Sequence, residues 1–470
     1  MHRLAASLPR SSRHPLIRTH RPMRLLLGFA ALSGAALAAD ANWPQFRGSQ
    51  AAGVADGHTL PSEWNVAKSE GVRWKTPIAG LAHSSPVIWG EKLFVTTAVS
   101  SADNQSLRTG LFGDGDSADD MTEHAFKVLC LDKKTGKVLW EKTAHTGVPK
   151  VKRHVKATHV NCTPAVDAEH VLAFFGSEGL YCYSHDGELK WSKDLGVLDV
   201  GPYNAMQLEW GFASSPVLID GKAIVQCDIK KDAFLAAFDA KDGREVWRVS
   251  RADVPTWATP TAWMSPDGPQ IICNGCLEIG AYDANTGKRI WSLSGGGGIP
   301  VPAPVLGDGL VYLTSNHRPY REQDPSQPVF AVSLKATGDL RINDGAAPDP
   351  HVKWIKTKIG SYMQTPLLYG GLLYVCKDNG TFRVLDAKSG EEKWTQRIGG
   401  GNTGFTASAV AGDGKIYYTA EDGKVIVLKA GGEGEPIATN DLGEACLATP
   451  AISEGVIYWR TRGHVIAIAK

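Results

Sequence analysis

Short apolar stretches, each followed by turn-forming residues, recur along the chain after position 70. Examples are FKVLC (residues 126–130) and GLYCY (residues 179–183), which are rich in β-branched, aromatic and other apolar side chains. Runs of this length that alternate or continue between glycine- and aspartate-containing turns are typical of β-strands. The pattern therefore predicts an all-β chain.

A nine-residue motif follows several of these strands in the same register. It places an aspartate first, a glycine four residues later and a tryptophan four residues after the glycine. The four full copies are Asp132-Gly136-Trp140, Asp239-Gly243-Trp247, Asp283-Gly287-Trp291 and Asp386-Gly390-Trp394. A weaker copy keeps Gly187 and Trp191 but has Tyr183 in the aspartate position.

The motif has a direct interpretation as a β-hairpin. An aspartate side chain closes an Asx turn, and a glycine supplies the positive φ that the turn needs. The tryptophan then lies on the returning strand. We expect these tryptophans to pack between neighbouring sheets rather than to stack on a ligand.

A second mark, a small residue usually followed by proline, precedes each pair of further apolar strands. Proline at the start of a strand fits a sheet edge, where its missing N–H is not needed. Each repeat thus predicts four antiparallel strands, a to d. The eight marks are Ser85-Pro86, Thr163-Pro164, Ser215-Pro216, Thr259-Pro260, Ala303-Pro304, Thr365-Pro366, Ser408-Ala409 and Thr449-Pro450.

Eight four-stranded repeats of about 40–50 residues predict an eight-bladed β-propeller over residues 72–470. The last repeat ends before its strand d, and VRWKT (residues 72–76) resembles a strand d with its tryptophan. We expect this N-terminal strand to complete the last blade, which leaves no open sheet edge. Residues 39–71, with Trp43, Phe46 and Trp64, then form an N-terminal clasp over the propeller.

The first 38 residues have the features of a signal peptide. They contain six arginines and no acidic residue, followed by an apolar run (residues 25–37) and an Ala36-Leu37-Ala38 cleavage site. The run is too short for a stable membrane span. We expect cleavage near Ala38 and a periplasmic or secreted protein; a buried helix is the alternative, and the start codon is Met1 or Met23.

The remainder of the chain is mildly acidic. It has 44 basic and 49 acidic side chains, a net charge of −5, with no long basic block. This balance argues against nucleic acid as a partner. No other long apolar run is present, so no transmembrane segment is expected after signal cleavage, and the protein is expected to be monomeric.

Insertions are concentrated on one face of the predicted propeller. In such a blade the b–c and d–a connections share one face, and the a–b and c–d turns share the other. The b–c and d–a connections carry four long additions, at residues 98–124, 144–161, 196–213 and 315–328. Only one addition, at residues 339–351, lengthens a c–d turn. Because loops on rigid scaffolds carry function, the longer side predicts the binding face, although surface loops also drift.

The residues just before each strand-a mark are expected to surround the central funnel. They form a mixed polar and aromatic set, suited to a sugar, a peptide segment or a planar cofactor. The alternative is that they hydrogen-bond the loops themselves. The candidates are His83, His159, Asn161, Glu209, Trp210, Trp257, Tyr362, Gln364, Asn402 and Phe405.

Two charged segments were weighed as ion or partner sites. GDGDSADD (residues 113–120) offers Asp114, Asp116, Asp119 and Asp120 as calcium ligands but lacks the EF-hand spacing. KVKRH (residues 150–154) with Lys156 could bind an acidic partner. For both segments a solvated loop is the favoured interpretation.

The sequence shows no familiar catalytic machinery. It lacks a G-x-S-x-G elbow, a phosphate loop and an H-E-x-x-H motif, and His154 and His159 are not expected to form a metal pair. Cys273 and Cys276 bracket an Asn-Gly turn and could form a hairpin disulfide, whereas most other cysteines resemble small buried hydrophobes. No catalytic residue or metal ligand is predicted.

The D-x-x-[TSD]-G-x-x-x-W repeats resemble the pyrroloquinoline quinone (PQQ) repeat family, and WPQFRG (residues 43–48) and GSEGLYCY (residues 176–183) resemble its exported BamB-like members. The resemblance implies either a quinoprotein alcohol dehydrogenase, which uses PQQ and Ca²⁺, or a non-catalytic propeller that binds protein partners. The chain has neither the adjacent cysteine pair of those dehydrogenases nor the acylated cysteine of the BamB lipoprotein.

Two functional hypotheses follow. The preferred one is an exported, non-catalytic propeller that binds a protein or a glycan on its loop-rich face without a cofactor. The alternative is a PQQ- and calcium-dependent quinoprotein alcohol dehydrogenase. The repeat resemblance by itself implies the fold and not the cofactor.

Overall fold

Eight antiparallel sheets form the propeller, as predicted. The computed structural model describes residues 41–102, 106–111, 115–316, 318–342, 349–400, 403–431 and 434–470. The first strands of successive blades contact one another around the centre. Within a blade each strand pairs with the next, so strand a is innermost and strand d outermost.

The first four blades follow one another along the chain. Blade one contains β2 (Val87–Trp89), β3 (Lys92–Ser100), β4 (His124–Asp132) and β5 (Val138–Gly147). Blade two contains β6 (Ala165–Val166), β7 (Val171–Phe174), β8 (Leu180–Tyr183) and β9 (Leu189–Lys193). Blade three contains β10 (Val217–Ile219), β11 (Lys222–Cys227), β12 (Phe234–Asp239) and β13 (Glu245–Ser250). Blade four contains β14 (Thr261–Ser265), β15 (Gly268–Cys273), β16 (Ile279–Asp283) and β17 (Arg289–Leu293).

The other four blades complete the ring. Blade five contains β18 (Val305–Gly307), β19 (Leu310–Thr314), β20 (Val329–Ser333) and β22 (Val352–Lys356). Blade six contains β23 (Leu367–Tyr369), β24 (Leu372–Cys376), β25 (Thr381–Asp386) and β26 (Glu392–Arg397). Blade seven contains β27 (Val410–Gly412), β28 (Lys415–Thr419), β29 (Lys424–Lys429) and β30 (Pro436–Asp441). Blade eight contains β31 (Ala451–Ser453), β32 (Val456–Arg460), β33 (His464–Ile468) and β1 (Val72–Pro77).

The two ends of the propeller meet in blade eight, as predicted. Strand β1 pairs antiparallel with β33, with Thr76 opposite Val465. Trp74 on β1 donates its indole N–H to the carbonyl oxygen of Lys133 in blade one, at 3.0 Å. The N-terminal strand therefore both completes the last blade and docks it on the first.

One predicted extension also contains a short strand. The segment expected to lengthen the c–d turn of blade five contains β21 (Gly338–Leu340), which pairs in parallel with β17 of blade four. Asp339 supports this pairing, because it accepts a hydrogen bond from Ser292 at 2.5 Å. The segment does lengthen the c–d connection, as predicted, but the added strand was not foreseen, because a three-residue strand has too little alternation to be recognised before its neighbour is known.

The repeated motif joins neighbouring blades. In blade three, Gly243 has φ +72°, and a Cβ added there would lie 2.6 Å from the ring of Trp191 in blade two. The Trp191 indole donates to the carbonyl oxygen of Ala240, the residue after the motif aspartate, at 2.8 Å. The same donation recurs from Trp140, Trp247 and Trp354 to the following blade. The predicted packing of these tryptophans between sheets is confirmed.

A ring of hydroxyl groups joins the first strands, and it explains why the marks are serine or threonine. The backbone N–H of Ser85 donates to Thr163 Oγ1 at 3.0 Å, and Thr163 N–H donates to Ser215 Oγ at 2.9 Å. The same relation continues from Ser215 to Thr259, Ala303 to Thr365, Thr365 to Ser408, and Ser408 to Thr449. Ala303 has no hydroxyl, so it offers Thr259 no such acceptor.

Residues 41–71 lie against the propeller on the side of the a–b turns. Trp43 exchanges backbone hydrogen bonds with Ile88 of blade one, and Ala55 bonds to Ala411 of blade seven. Between them Arg47 is completely buried, and its guanidinium donates to the carbonyl oxygens of Ala409 and Pro366, at 2.7 and 3.0 Å. Burial lowers the pKa of Arg47 to about 9. The segment thus crosses the central channel of the propeller and closes the end of the channel that lies on the side of the a–b turns.

All eight cysteines are buried and unpaired, so Cys273 and Cys276 form no disulfide. Their position explains this outcome, because the b–c connection of blade four is held by other groups. Asn274 donates its side-chain amide to the carbonyl oxygens of Pro302 and Thr314, at 2.9 and 3.0 Å.

In the part of the chain that the structure describes, no helix has the length and apolar character needed to cross a bilayer.

Candidate functional site

A central cavity of about 420 Å³ opens among the b–c and d–a connections. Its wall is built from residues that precede or begin the strand a of each blade, including the hydroxyl ring. Phe46 of the N-terminal segment also contacts the cavity, at the end that this segment closes. The cavity is therefore a pocket with one accessible end, on the side that carries the long insertions.

Five of the ten predicted rim residues line this cavity, namely His83, Asn161, Trp210, Trp257 and Tyr362. The others described lie elsewhere among the loops. His159 bonds Asp120, Glu209 accepts the backbone N–H of Lys152, and Phe405 is buried against Gly399. Gln364 is buried, and Asn402 falls outside the described residues.

Hydrogen bonds within the loops use much of the polar rim. Asn161 donates to the carbonyl oxygens of Thr158 and Phe212, at 2.9 and 3.1 Å. Trp257 donates to the carbonyl oxygen of Gly211, at 2.9 Å, and packs on Trp210 with 5.9 Å between ring centroids. These side chains hold the wall in shape while their remaining surface faces the cavity.

An ion pair joins the cavity wall to blade seven. Lys156 from the connection between blades one and two reaches Glu421 of blade seven, with 2.6 Å between Nζ and Oε1. The backbone N–H of Gly110, in the blade-one insertion, donates to the other oxygen of Glu421 at 2.7 Å. Thr406 also donates to Glu421 at 2.6 Å. The blade-one insertion and the connection between blades one and two are both thereby held to blade seven.

The two charged segments meet, which corrects their interpretation as solvated loops. Arg153 and Asp120 form an ion pair of 2.7 Å, with side chains only 1% and 2% exposed. The Arg153 guanidinium also donates to the carbonyl oxygens of Ala157 and Ser106, at 2.7 and 2.8 Å. Sequence spacing could not reveal this pair, because the two segments belong to different connections. Asp119 is exposed, as expected for that residue.

Burial perturbs the titration of groups around the cavity. It lowers the pKa of His83 to about 4, so the imidazole is neutral at neutral pH and its Nε2 lies 2.8 Å from the carbonyl oxygen of Lys156. Burial raises the pKa of Asp120, but His159 and Arg153 lower it by more, to about 2. Burial also lowers the pKa of His124.

Exposed apolar side chains collect on the same face. Five large apolar side chains among the described residues are well exposed on the b–c and d–a connections. They are Leu111, Val148, Val197, Met206 and Tyr320. The a–b side has Met264, and the others lie on outer strands. The ring of Tyr320 contacts that of Tyr203 at a tilt of 60°, with 5.0 Å between centroids, which joins the insertion of blade five to the blade two–three connection.

Sequence reasoning missed several parts of this site. It did not assign the hydroxyl ring, the Lys156–Glu421 pair or the place of Phe46. The recurrence of serine or threonine before proline was a usable signal for the ring. The other contacts join residues separated by more than a hundred positions, so the sequence carried no local signal for them.

The fold and the repeats agree with one protein family. The sequence profile described as outer membrane protein assembly factor BamB matches residues 124–396, 275–430 and 378–470. The chain belongs to the BamB family. These matches overlap and together span residues 124–470, which cover blades two to seven, the outer two strands of blade one and three strands of blade eight.

Relatives of the BamB family are distant in sequence. The outer membrane protein assembly factor BamB of Salmonella typhimurium is 20% identical over 293 residues, which cover 52% of this chain and 72% of that protein. The Yersinia pestis protein of the same name is 21% identical over 345 residues, covering 71% of this chain and 68% of its own length.

Solved structures share the fold. BamB from Moraxella catarrhalis matches with a TM-score of 0.53 and 13% identity, over 79% of this chain and 98% of that one. A europium-containing methanol dehydrogenase gives 0.61 and 11%, over 91% and 89%. The quinohemoprotein alcohol dehydrogenase of Comamonas testosteroni gives 0.60 and 14%, over 93% and 82%. At such identities the likeness shows the fold alone.

The described wall of the cavity does not fit PQQ with calcium. PQQ is a tricarboxylate and needs positive charge. Among the described lining residues Lys156 is the one lysine or arginine, and Glu421 already neutralises the charge of Lys156. Calcium prefers several oxygen ligands. Among the described residues that line the cavity, Asp378 is the one carboxylate. No step through PQQ is therefore derived.

Proposed function

We propose that the protein is an exported, non-catalytic propeller of the BamB family that binds a protein partner on its loop-rich face. The observation that carries the proposal is the collection of exposed apolar side chains on that face. Val148, Val197 and Met206 are 54%, 57% and 47% exposed. Apolar groups on loops held by ion pairs and ring contacts form a preorganised docking surface, which lowers the entropy cost of binding.

The family supports a protein partner over a glycan. The curated relatives are named as outer membrane protein assembly factors. The central cavity is a second place for a ligand, and the cationic side chain that lines it, Lys156, is paired with Glu421. A partner that is larger than the mouth would contact the insertions around it first.

Site-specific photo-crosslinking in the cell envelope tests the proposal. A photoreactive residue replaces Val148, Val197 or Met206, and the matched control replaces Met264, which is 58% exposed on the opposite face. We expect discrete protein adducts from the first three positions and none from position 264. Val197→Asp introduced beside the probe at position 148 should reduce the adduct by roughly tenfold or more, which corresponds to the loss of about 1.4 kcal/mol of binding.

Three results would contradict the proposal. These are equal adducts at position 264, no adduct at any position, or a glycan in place of a protein in the adduct. Export is part of the same proposal, and N-terminal sequencing of the protein from the envelope should show cleavage near Ala38.

The function is proposed without a cofactor, and thermal melts test that part. We expect no shift with PQQ, Ca²⁺ or both, whereas a ligand at a hundredfold its dissociation constant stabilises the folded state by about 2.7 kcal/mol. A shift that needs both additions, with dye-linked alcohol oxidation, would instead support the dehydrogenase alternative.

A further inference from the structure

A cluster of potential metal ligands lies between the two insertions nearest blade one. Among the described residues, Asp120, His124 and His159 form the group whose ligand atoms all lie within 4.8 Å of one another. Asp120 and His124 end the b–c insertion, and His159 belongs to the connection between blades one and two. The side chains of Asp120 and His159 are 2% and 5% exposed, and His124 is completely buried.

His124 provides the observation that separates this cluster from an ordinary buried ion pair. Its Nδ1 lies 2.7 Å from the carbonyl oxygen of Thr122, so Nδ1 carries the proton and Nε2 presents a lone pair. That Nε2 is buried and has no hydrogen-bond partner. A buried polar atom without a partner is unfavourable, so this nitrogen is an acceptor that a ligand could satisfy.

The spacing of the other two donors also suits a metal. His159 Nε2 lies 3.1 Å from Asp120 Oδ1. Two adjacent ligands that each sit about 2.0–2.1 Å from one ion are separated by roughly 2.9–3.4 Å. The ring centroids of His124 and His159 are 4.9 Å apart, and a ligand atom of His124 lies within 4.8 Å of those of the other two side chains.

We propose that Asp120, His124 and His159 bind one divalent transition metal of the zinc class. Two imidazole nitrogens and a carboxylate favour such an ion over Ca²⁺ or Mg²⁺, which prefer oxygen ligands. The metal would link the blade-one insertion to the following connection and stiffen the loop-rich face. This inference does not depend on the proposed function.

The surrounding contacts match those of ordinary metal sites. The Thr122 carbonyl oxygen fixes the tautomer of His124, and Arg153 Nε holds the second oxygen of Asp120 at 2.8 Å. Partners of this kind orient metal-binding side chains. The Arg153 charge also lowers the affinity below that of an unpaired carboxylate, because it repels a cation.

Calorimetric titration of the tag-free protein with Zn²⁺, after treatment with a chelator, tests the proposal. We expect one Zn²⁺ per chain, and with Co²⁺ the visible absorption of a low-symmetry nitrogen and oxygen site. His124→Phe and His159→Gln should each weaken Zn²⁺ binding by about a hundredfold. This is the upper end of the loss seen when a residue that only hydrogen-bonds to a metal ligand is replaced. His170→Gln is the control, because His170 forms a similar 3.0 Å pair with Asp167 but belongs to no group of three metal-ligating side chains among the described residues.

The wild-type titration decides the question even if a variant does not fold. Near-ultraviolet circular dichroism identifies such a variant. Absence of Zn²⁺ and Co²⁺ binding by the wild-type protein would overturn the proposal, as would binding that persists unchanged in folded His124→Phe and His159→Gln. An equal loss in His170→Gln would also overturn it, because the bound metal would then lie elsewhere.

Discussion

The hydroxyl ring provides a direct test of what holds the blades together. Thr163→Val removes the oxygen that accepts the backbone N–H of Ser85 at 3.0 Å and preserves the branched shape of the side chain. Both residues are about 2% exposed, so water cannot easily replace the lost acceptor. An unsatisfied buried N–H costs about 1–3 kcal/mol, and this is the loss of stability that we expect.

The assay must resolve a small change in a long chain. One kcal/mol shifts the melting temperature of a protein of this length by only ~1 °C, because the unfolding entropy scales with the number of residues. Guanidinium unfolding followed by tryptophan fluorescence is therefore the better measurement. Hydrogen exchange by mass spectrometry adds a local readout, since the Ser85 amide should exchange faster in the variant.

Two companion variants make the reasoning refutable. Thr143→Val removes a hydroxyl from the exposed face of β5 and should change stability by less than about 0.5 kcal/mol. Ala303→Ser adds the missing hydroxyl and should stabilise the ring by about 0.5–1.5 kcal/mol. The reasoning is refuted if Thr163→Val is as stable as Thr143→Val and the exchange of Ser85 is unchanged.

Two further predictions concern the blade contacts and the cavity. Gly221→Ala should lower the free energy of unfolding by about 1–2 kcal/mol, because it places alanine at φ +70° in open space. Gly243→Ala should cost about 1–3 kcal/mol more in the same unfolding assay, because its Cβ meets Trp191 at 2.6 Å. Equal losses would contradict the role of the tryptophan in joining the blades. The pKa of His83 is about 4 in the folded state and lies below the unfolded value of 6.5. The unfolded chain therefore binds the proton first, and as the pH falls from about 6.5 to 4 the wild-type protein should lose up to about 1.4 kcal/mol per pH unit more than His83→Gln; parallel stability–pH curves would contradict it.

The site shows which of its parts have a sequence signal. His83, Asn161 and Trp257 could be placed at the centre because each precedes a strand-a mark, and the marks fix the position of the channel. For Asp120 and Arg153 the sequence favours solvated loops, because each residue lies in a run of like charges. Their burial depends on two insertions folding against each other, and no spacing within either run records that contact.

The repeat, the number of blades and the closure of the ring by β1 can all be inferred from the sequence alone. These features depend on local chemistry, namely strand alternation, the Asp and Gly of the turn, and a tryptophan at a fixed distance from both. Tertiary structure alone decided the place of β21, the buried Arg47 that crosses the channel, the Lys156–Glu421 pair and the cluster around His124. Each of these joins segments far apart in the chain, and their energies come from burial and pairing that exist only after the blades have packed.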